Sequence, residues 1–173
     1  RNIIIQLIIF YIIFVMTLFF LQRQLMYHPT LGEQLPNEIG LPQFKLINLR
    51  ETLQQDNNKN SIKNNKKYLS AWYKEPESDL KPVIIFFHGN GGNLSLRRNI
   101  FRDLSQNGYG LIAVSYRGYG ASEGSINENG IYNDASAAIK YLLNNNITTD
   151  RKIYFGESLG GAMAIEMASI FKP

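Results

Sequence analysis

The sequence has no cysteine, and only two of its 173 residues are histidine. A chain without thiols forms no disulfide bond, no zinc–thiolate site and no cysteine nucleophile. His28 and His88 are too few for a histidine-rich metal centre. A G-K-S or G-K-T phosphate-binding loop is also missing. We therefore expect neither a metal nor a cofactor.

Strong clustering of one charge is missing as well. The net charge is +4 at pH 7, and neighbouring basic residues occur only in pairs such as Lys66-Lys67 and Arg97-Arg98. Because nucleic-acid-binding proteins usually carry a basic patch or stripe, we expect no nucleic-acid partner. The chain length suits one domain with its own hydrophobic core.

A long apolar run opens the chain. Residues 3–21 are apolar except for Gln6 and Thr17, and about 20 such residues span a bilayer as a helix. A buried core helix and a cleaved signal peptide are the alternatives, but the run has no polar face and residues 19–23 lack a small-residue cleavage pattern. The pattern predicts an uncleaved single-pass anchor over residues 1–22, with the lipid bilayer as partner. Arg1 and Arg23 flank it almost evenly, so charge favours neither orientation.

The next part of the chain changes composition three times. Residues 23–43 contain several prolines and glycines, which predicts a connecting segment. Residues 44–50 and 68–74 have the pattern of two strands. Between them, residues 54–67 are rich in Asn, Lys and Gln, so we expect a solvated polar loop.

From residue 81 onward, strand and helix patterns alternate. Continuous apolar runs at 83–87, 110–115 and 153–155 are typical of strands buried on both faces. Apolar residues at helical spacing predict three helices. The first covers 94–106, the second follows a Ser125–Glu128 capping box, and the third begins at Leu159. This order predicts an α/β fold, with a mainly parallel sheet and helices on both faces.

Three loops follow these strands, at the edge where open α/β sheets bind ligands. They are 88–93, 116–124 and 156–160, and the last reads G-E-S-L-G. A G-x-S-x-G sequence between a strand and a helix exposes its serine on a strained turn, with the glycines Gly156 and Gly160 avoiding collisions. The pattern favours Ser158 as a nucleophile, whereas the same pentapeptide alone is also compatible with an ordinary glycine-rich turn.

Acyl transfer to serine needs backbone N–H groups that bind the oxyanion. The residue after the nucleophile, Leu159, supplies one, and an H-G-x loop after an earlier strand supplies the other from Asn90. His88 is a possible general base, although in such a loop a structural role is favoured. A dinucleotide-binding site is the other candidate at glycines 118–124, but that segment does not open a helix as its fingerprint requires.

Together these segments resemble a known family. HGNGGN at 88–93, YRGYGASEGS at 116–125, YNDA at 132–135 and GESLGG at 156–161 are similar to the α/β-hydrolase superfamily. With QRQLMYHP at 22–29 after the anchor, the chain resembles its single-pass membrane-anchored serine hydrolases, a group that includes protein depalmitoylases. The likeness covers nearly the whole chain except 54–67, and residues 44–173 correspond to the N-terminal portion of the hydrolase domain.

The resemblance implies roles for individual residues. Ser158 is the expected nucleophile of an ester or thioester hydrolase, and Asn90 and Leu159 are the expected oxyanion-hole donors. His88 and Asp134 match positions that are structural in the family. Loop-structuring roles are expected for His88, Gly89, Gly156 and Gly160.

The expected triad is incomplete in this sequence. In the family the acid and the histidine follow the serine, but residues 159–173 contain no histidine and no aspartate. Glu166 falls in the helix that follows the turn and is unsuitable as the acid. We expect a truncated hydrolase, inactive as written, whose strand before Ser158 forms an exposed sheet edge. The alternative is a non-catalytic membrane-tethered remnant or binding protein. The anchor favours a lipid or lipidated-protein ester as substrate.

Overall fold

A computed structural model describes residues 2–50, 68–147 and 151–172. The predicted polar loop at 54–67 lies outside the described residues. The helices are α1 (Asn2–Met26), α2 (Arg98–Leu104), α3 (Glu128–Asn144) and α4 (Leu159–Ile170). The strands are β1 (His28–Pro29), β2 (Lys45–Asn48), β3 (Ser70–Lys74), β4 (Val83–Phe87), β5 (Gly91–Gly92), β6 (Gly110–Val114) and β7 (Lys152–Gly156). Short 3-10 helices occupy Pro36–Ile39, Leu94–Arg97 and Gln106–Gly108.

The main sheet has five strands in the order β2-β3-β6-β4-β7. Strand β4 pairs in parallel with both β6 and β7, as the strand–helix alternation predicted. Strands β2 and β3 form the antiparallel part of this sheet, since β3 pairs antiparallel with β2 and with β6. The sheet is therefore mixed, with its parallel half in the region that carries the three loops.

Two hydrophobic cores cover the two faces of this sheet. Every residue of β4 is buried, and successive side chains point to opposite faces. Ile84 and Phe86 belong to a core closed by Phe101 of α2. Ile85 and Phe87 belong to a second core, to which α3 and α4 contribute. The prediction of helices on both faces is confirmed.

Several predicted boundaries shift in the structure. The residue that caps α3 is Asn127, whose side chain accepts a hydrogen bond from the Gly130 amide at 2.8 Å, so the Ser125–Glu128 capping box was wrong. Asn127 prevails because its carboxamide oxygen reaches the third amide of the helix directly. The helix expected over 94–106 begins as the 3-10 turn Leu94–Arg97 and becomes α-helical at Arg98.

Helix α1 is the only helix in the described part of the chain that is long and apolar enough to cross a membrane. It has 25 residues, an 18-residue window with a mean hydropathy of 2.8, and no buried residue. The helix continues past the predicted anchor to Met26. By length and composition, this helix is a candidate membrane span.

Strand β7 forms one edge of the sheet, as predicted. Its side chains Ile153 and Phe155 remain 42% and 39% exposed. One edge of β7 pairs with β4 over all five residues of the strand. The strand that leads to Ser158 is therefore held from one side within the described sheet.

The segment after α1, for which we predict a connecting segment, pairs with two loops of the domain. Strand β1 pairs in parallel with β5, with His28 opposite Gly91 and Pro29 opposite Gly92. A further bridge joins Leu31 to Gly120. Residues 28–31 thus lie between the loop after β4 and the loop after β6.

We predict that Phe101→Ala lowers the free energy of unfolding by about 3–5 kcal/mol, the usual loss for a buried phenylalanine. Phe101 is fully buried, with its ring centroid 5.0 Å from Phe86 and 5.7 Å from Trp72. Urea unfolding in detergent micelles, followed by the fluorescence of the single tryptophan, measures the change. Leu96→Ala is the control, since Leu96 is 71% exposed, and it should cost no more than about 0.5 kcal/mol. Equal losses for both variants would contradict the packing described.

Candidate active site

Ser158 occupies a sharp turn between β7 and α4. Its backbone has φ 52° and ψ −114°, a region that residues with a side chain rarely adopt. The residue is exposed, and its hydroxyl does not cap the helix that it precedes. An exposed serine with a strained backbone, whose side chain does not cap the following helix, is a candidate functional residue.

Close backbone packing explains the glycines on either side of Ser158. A Cβ on Gly156 would collide with the backbone of Gly160 and Gly161. A Cβ on Gly160 would collide with the carbonyl groups of Phe87 and His88. Only glycine allows α4 to approach the end of β4 this closely.

This packing brings the loop after β4 against the turn. The Glu157 amide donates to the Phe87 carbonyl at 3.0 Å. Gly89 lies beside Glu157, since a Cβ on Gly89 would be 3.3 Å from the Glu157 carbonyl oxygen. Among the described residues, the amides of Asn90 and Leu159 make no hydrogen bond outside the regular helices and strands. The two predicted oxyanion donors therefore belong to adjoining loops.

His88 is fully buried beside this turn. Its Nδ1 lies 2.7 Å from the Gly89 carbonyl oxygen, and its Nε2 lies 3.3 Å from the Tyr116 amide, which donates to it. The Nδ1 atom must therefore carry the proton and donate to Gly89. Burial lowers the pKa of His88 to about 3, which keeps the ring neutral. Both ring nitrogens are thus engaged by the backbone, and neither histidine of the chain hydrogen-bonds to Ser158.

A buried arginine joins the two loops, which sequence reasoning missed. Arg97 donates to both carboxylate oxygens of Glu157, at 2.7 and 3.2 Å. The same guanidinium donates to the carbonyls of Gly91 and Asn93, both at 2.8 Å. Arg97 therefore ties Glu157, the residue before Ser158, to the loop after β4. The available signal was its helical spacing from the buried Phe101, which places both on the inner face.

A second ion pair fixes the loop after β6. Asp134, which is 2% exposed, accepts hydrogen bonds from the Arg117 side chain at 2.8 and 2.9 Å and from its amide at 2.8 Å. The bidentate pairing raises the pKa of Arg117. Arg117 is occupied by Asp134 in this arrangement, which suits loop bracing better than contact with an anionic substrate.

Glu33 is a further polar residue, partly buried, that the sequence did not reveal. Its carboxylate accepts hydrogen bonds from the Leu94 amide at 3.1 Å and from the hydroxyls of Ser70 and Ser115 at 3.1 and 3.2 Å. Burial raises the pKa of Glu33, and these donors oppose the rise. The carboxylate links the segment after α1 to both loops and to β3.

The surroundings of the turn contain a cavity but no cluster suited to a metal. Among residues 2–50, 68–147 and 151–172, no group of three or more His, Asp or Glu side chains is placed to hold a metal ion. A cavity of about 320 Å³ lies between the end of α1 and helices α3 and α4. Leu159, Met163, Ile131 and Met26 contribute to its lining.

The sequence has relatives among known proteins. Protein bem46 of Schizosaccharomyces pombe is 38% identical over 104 residues, 59% of this chain and 34% of that protein. An uncharacterized membrane protein of Saccharomyces cerevisiae, YNL320W, is 34% identical over 163 residues, 91% of this chain and 53% of that protein. The chain therefore spans between a third and about half of the length of these relatives.

Solved structures share the fold. The esterase PF2001 of Pyrococcus furiosus has a TM-score of 0.62 over 85% of this chain and 52% of that chain, at 24% identity. An alpha-beta hydrolase from Vibrio vulnificus has a TM-score of 0.53 over 83% of this chain and 56% of that chain, also at 24% identity. Likeness at this identity establishes the architecture alone.

The family itself is established by sequence. The profile described as alpha/beta hydrolase fold matches residues 82–173, which is more than half of the chain. That match covers β4, both loops beside the turn, and the turn that carries Ser158. The resemblance to the family is confirmed: the chain belongs to the α/β-hydrolase family.

Proposed function

We propose that this chain carries the nucleophile and oxyanion hole of a serine hydrolase that cleaves carboxylic esters or thioesters. The observation that carries the proposal is Ser158, exposed at φ 52° on a strand-to-helix turn and packed against the loop after β4. Family membership supports hydrolysis as the general reaction, and the strained serine supports an acyl-enzyme mechanism in particular.

In the proposed reaction, Ser158 Oγ attacks the carbonyl carbon and forms a tetrahedral adduct. The backbone amides of Asn90 and Leu159 donate to its oxyanion. The alcohol or thiol then leaves with a proton, and Ser158 is left as an ester. Water hydrolyses this ester, which releases the carboxylic acid and restores the hydroxyl. The loops 88–93 and 156–160 adjoin, which supports this assignment.

Efficient attack needs a histidine base that an acid orients. His88 does not suit this role, because its ring is buried, neutral and bonded to backbone on both sides. Residues 159–173 supply neither histidine nor aspartate. We therefore propose that these 173 residues alone acylate slowly and do not turn over, and that His88 and Asp134 hold loops.

The proposed setting is a membrane surface, with α1 as a single-pass anchor. The helix is apolar and buries none of its residues in the protein. The cavity of about 320 Å³ adjoins both the end of α1 and Leu159, and its lining mixes apolar side chains with Arg23 and Glu128. YNL320W bears the name membrane protein, in agreement with this setting. The anchor favours a lipid or lipidated-protein ester as substrate.

One observation favours a second candidate function. Neither histidine of the chain hydrogen-bonds to Ser158. A membrane-tethered binding protein that keeps the fold without catalysis would also have this feature. Labelling of Ser158 distinguishes the two.

We predict that a fluorophosphonate probe labels Ser158 slowly in the full 173-residue chain in detergent micelles. The serine oxygen displaces fluoride from phosphorus, and the phosphoryl oxygen occupies the oxyanion hole. Residual catalysis of about 10³-fold over water survives loss of triad residues in other serine hydrolases. Peptide mass spectrometry locates the adduct, and p-nitrophenyl acetate checks for turnover.

Ser158→Ala should abolish the adduct, whereas Ser169→Ala, a change near the end of α4, should leave it unchanged. Labelling at other serines with none at Ser158 would overturn the nucleophile assignment and favour the binding protein.

We also predict that His88 makes folding stability depend on pH. The pKa of His88 is about 3 in the folded chain and about 6.5 when unfolded, so the unfolded state binds the extra proton between these values. Stability is complete above the unfolded pKa and falls as the pH drops toward the folded pKa. Between about pH 7.5 and pH 5 the free energy of unfolding should fall by about 2 kcal/mol through this group.

Urea unfolding at the two pH values measures the slope. His88→Asn should be less stable at neutral pH but should lose most of this pH dependence. His28→Asn is the matched control, because His28 is exposed, and it should keep the wild-type slope. An unchanged slope in His88→Asn would rule out a buried neutral histidine.

A further inference from the structure

The end of the apolar helix is hydrogen-bonded directly to the loop that carries the proposed oxyanion donor. The side-chain amide of Asn90 donates to the Met26 carbonyl at 2.8 Å. Met26 is the last residue of α1, and the final carbonyls of a helix have no partner within it. Asn90 therefore supplies a hydrogen bond to the end of this helix from a position 64 residues away in sequence.

The backbone of Asn90 is held as well. Its carbonyl accepts hydrogen bonds from the His28 amide at 2.9 Å and from the Tyr119 hydroxyl at 2.8 Å. One donor comes from the segment after α1 and the other from the loop after β6. Three hydrogen bonds thus hold the side chain of Asn90 and the peptide that follows it, on either side of the Cα atom that carries its N–H.

Further hydrogen bonds extend this connection along the segment. The Thr30 amide donates to the Gly92 carbonyl at 3.1 Å, and the Asn93 side chain donates to the Gly32 carbonyl at 2.6 Å. On the other side, the Gly32 amide donates to the Gly120 carbonyl at 2.9 Å. The segment is therefore a continuous part of the loop structure and not a free tether.

We propose that the end of α1 and residues 28–32 position the oxyanion hole, with Asn90 as the residue through which they act. This inference rests on the proposed function. An oxyanion donor contributes only when it points at the place where negative charge develops, and a donor is worth about 10²–10³-fold in rate. Attachment of the catalytic loop to the membrane helix then sets the direction of the Asn90 amide, so the anchor takes part in building the site.

A purely structural role of these hydrogen bonds would have a different effect on labelling from a positioning role. If these hydrogen bonds only stabilised the fold, their loss would lower the melting temperature and reduce labelling in proportion to the unfolded fraction. If they orient the amide, the folded protein itself reacts more slowly. The maximal labelling rate, kinact, should then fall while KI, the probe concentration at half this rate, stays the same, because the amide acts on the transition state and not on probe binding.

The experiment measures kinact and KI for an ethyl fluorophosphonate probe on the full chain in detergent micelles, together with the melting temperature. Asn90→Ala keeps the backbone amide but removes the bond to Met26, and it should lower kinact by about 10–100-fold, a range typical of small misplacements in an active site. Tyr119→Phe removes one bond to the Asn90 carbonyl and should lower kinact by about 3–10-fold, in line with a net hydrogen bond of about 1 kcal/mol. Asn99→Ala, on the exposed side of α2, is the control and should match wild type.

The outcomes separate this inference from the proposed function. If the wild-type chain is not labelled at Ser158, the proposed function fails. If the wild type is labelled but Asn90→Ala and Tyr119→Phe react at the wild-type rate, the positioning role alone is overturned. A fall in labelling that follows the melting temperature, or a change in KI without a change in kinact, would also overturn it.

Discussion

The contact between Gly160 and the carbonyl groups at the end of β4 is the constraint on which the rest of this site depends. It sets α4 so close to the sheet that no side chain fits between them. Because α4 begins directly after Ser158, this approach forces the sharp turn and the positive φ of the serine. Such strain costs about 1–3 kcal/mol and persists only where surrounding contacts determine the backbone. Here the five-residue pairing of β7 with β4 and the Glu157–Phe87 hydrogen bond provide those contacts.

Buried charge forms a second layer of constraint around the same loops. Arg97 and Asp134 are each less than a tenth exposed, and Glu33 is partly buried. Burial of an unpaired charge costs several kcal/mol, so each group must have a partner of fixed geometry. Arg97 with Glu157 joins the loop after β4 to the turn, and Asp134 with Arg117 holds the loop after β6. Glu33, in the segment after α1, accepts hydrogen bonds from Leu94 and Ser115 beside these two loops. The main effect of these pairs is to restrict the loops to one arrangement, and their contribution to the free energy of unfolding is small.

Local patterns predicted much of the fold, and long-range partners explain what they missed. Runs such as 83–87 predict buried strands because the signal lies within five neighbouring residues, and the G-x-S-x-G turn is equally local. In the sequence, Arg97 looks like one of two neighbouring surface cations, because its partner Glu157 is 60 residues away. Residues 28–32 read as a linker because their hydrogen-bond partners lie near residues 90 and 120. A high content of proline and glycine indicates that a segment is not helical. It does not indicate which loops the extended segment will form hydrogen bonds with.

The position of the site relative to the helix α1 follows from the same long-range bonds. A helix that ended in free carbonyls next to a flexible linker would be mechanically separate from the domain. Here Met26 is the last helical residue and already bonds to Asn90, and His28 is paired with Gly91 two residues later. No stretch of unpaired backbone long enough to act as a hinge lies between the helix and these contacts. The loop after β4 is consequently bonded to the apolar helix at one end and packed against the turn of Ser158 at the other, so it is the connection between the two.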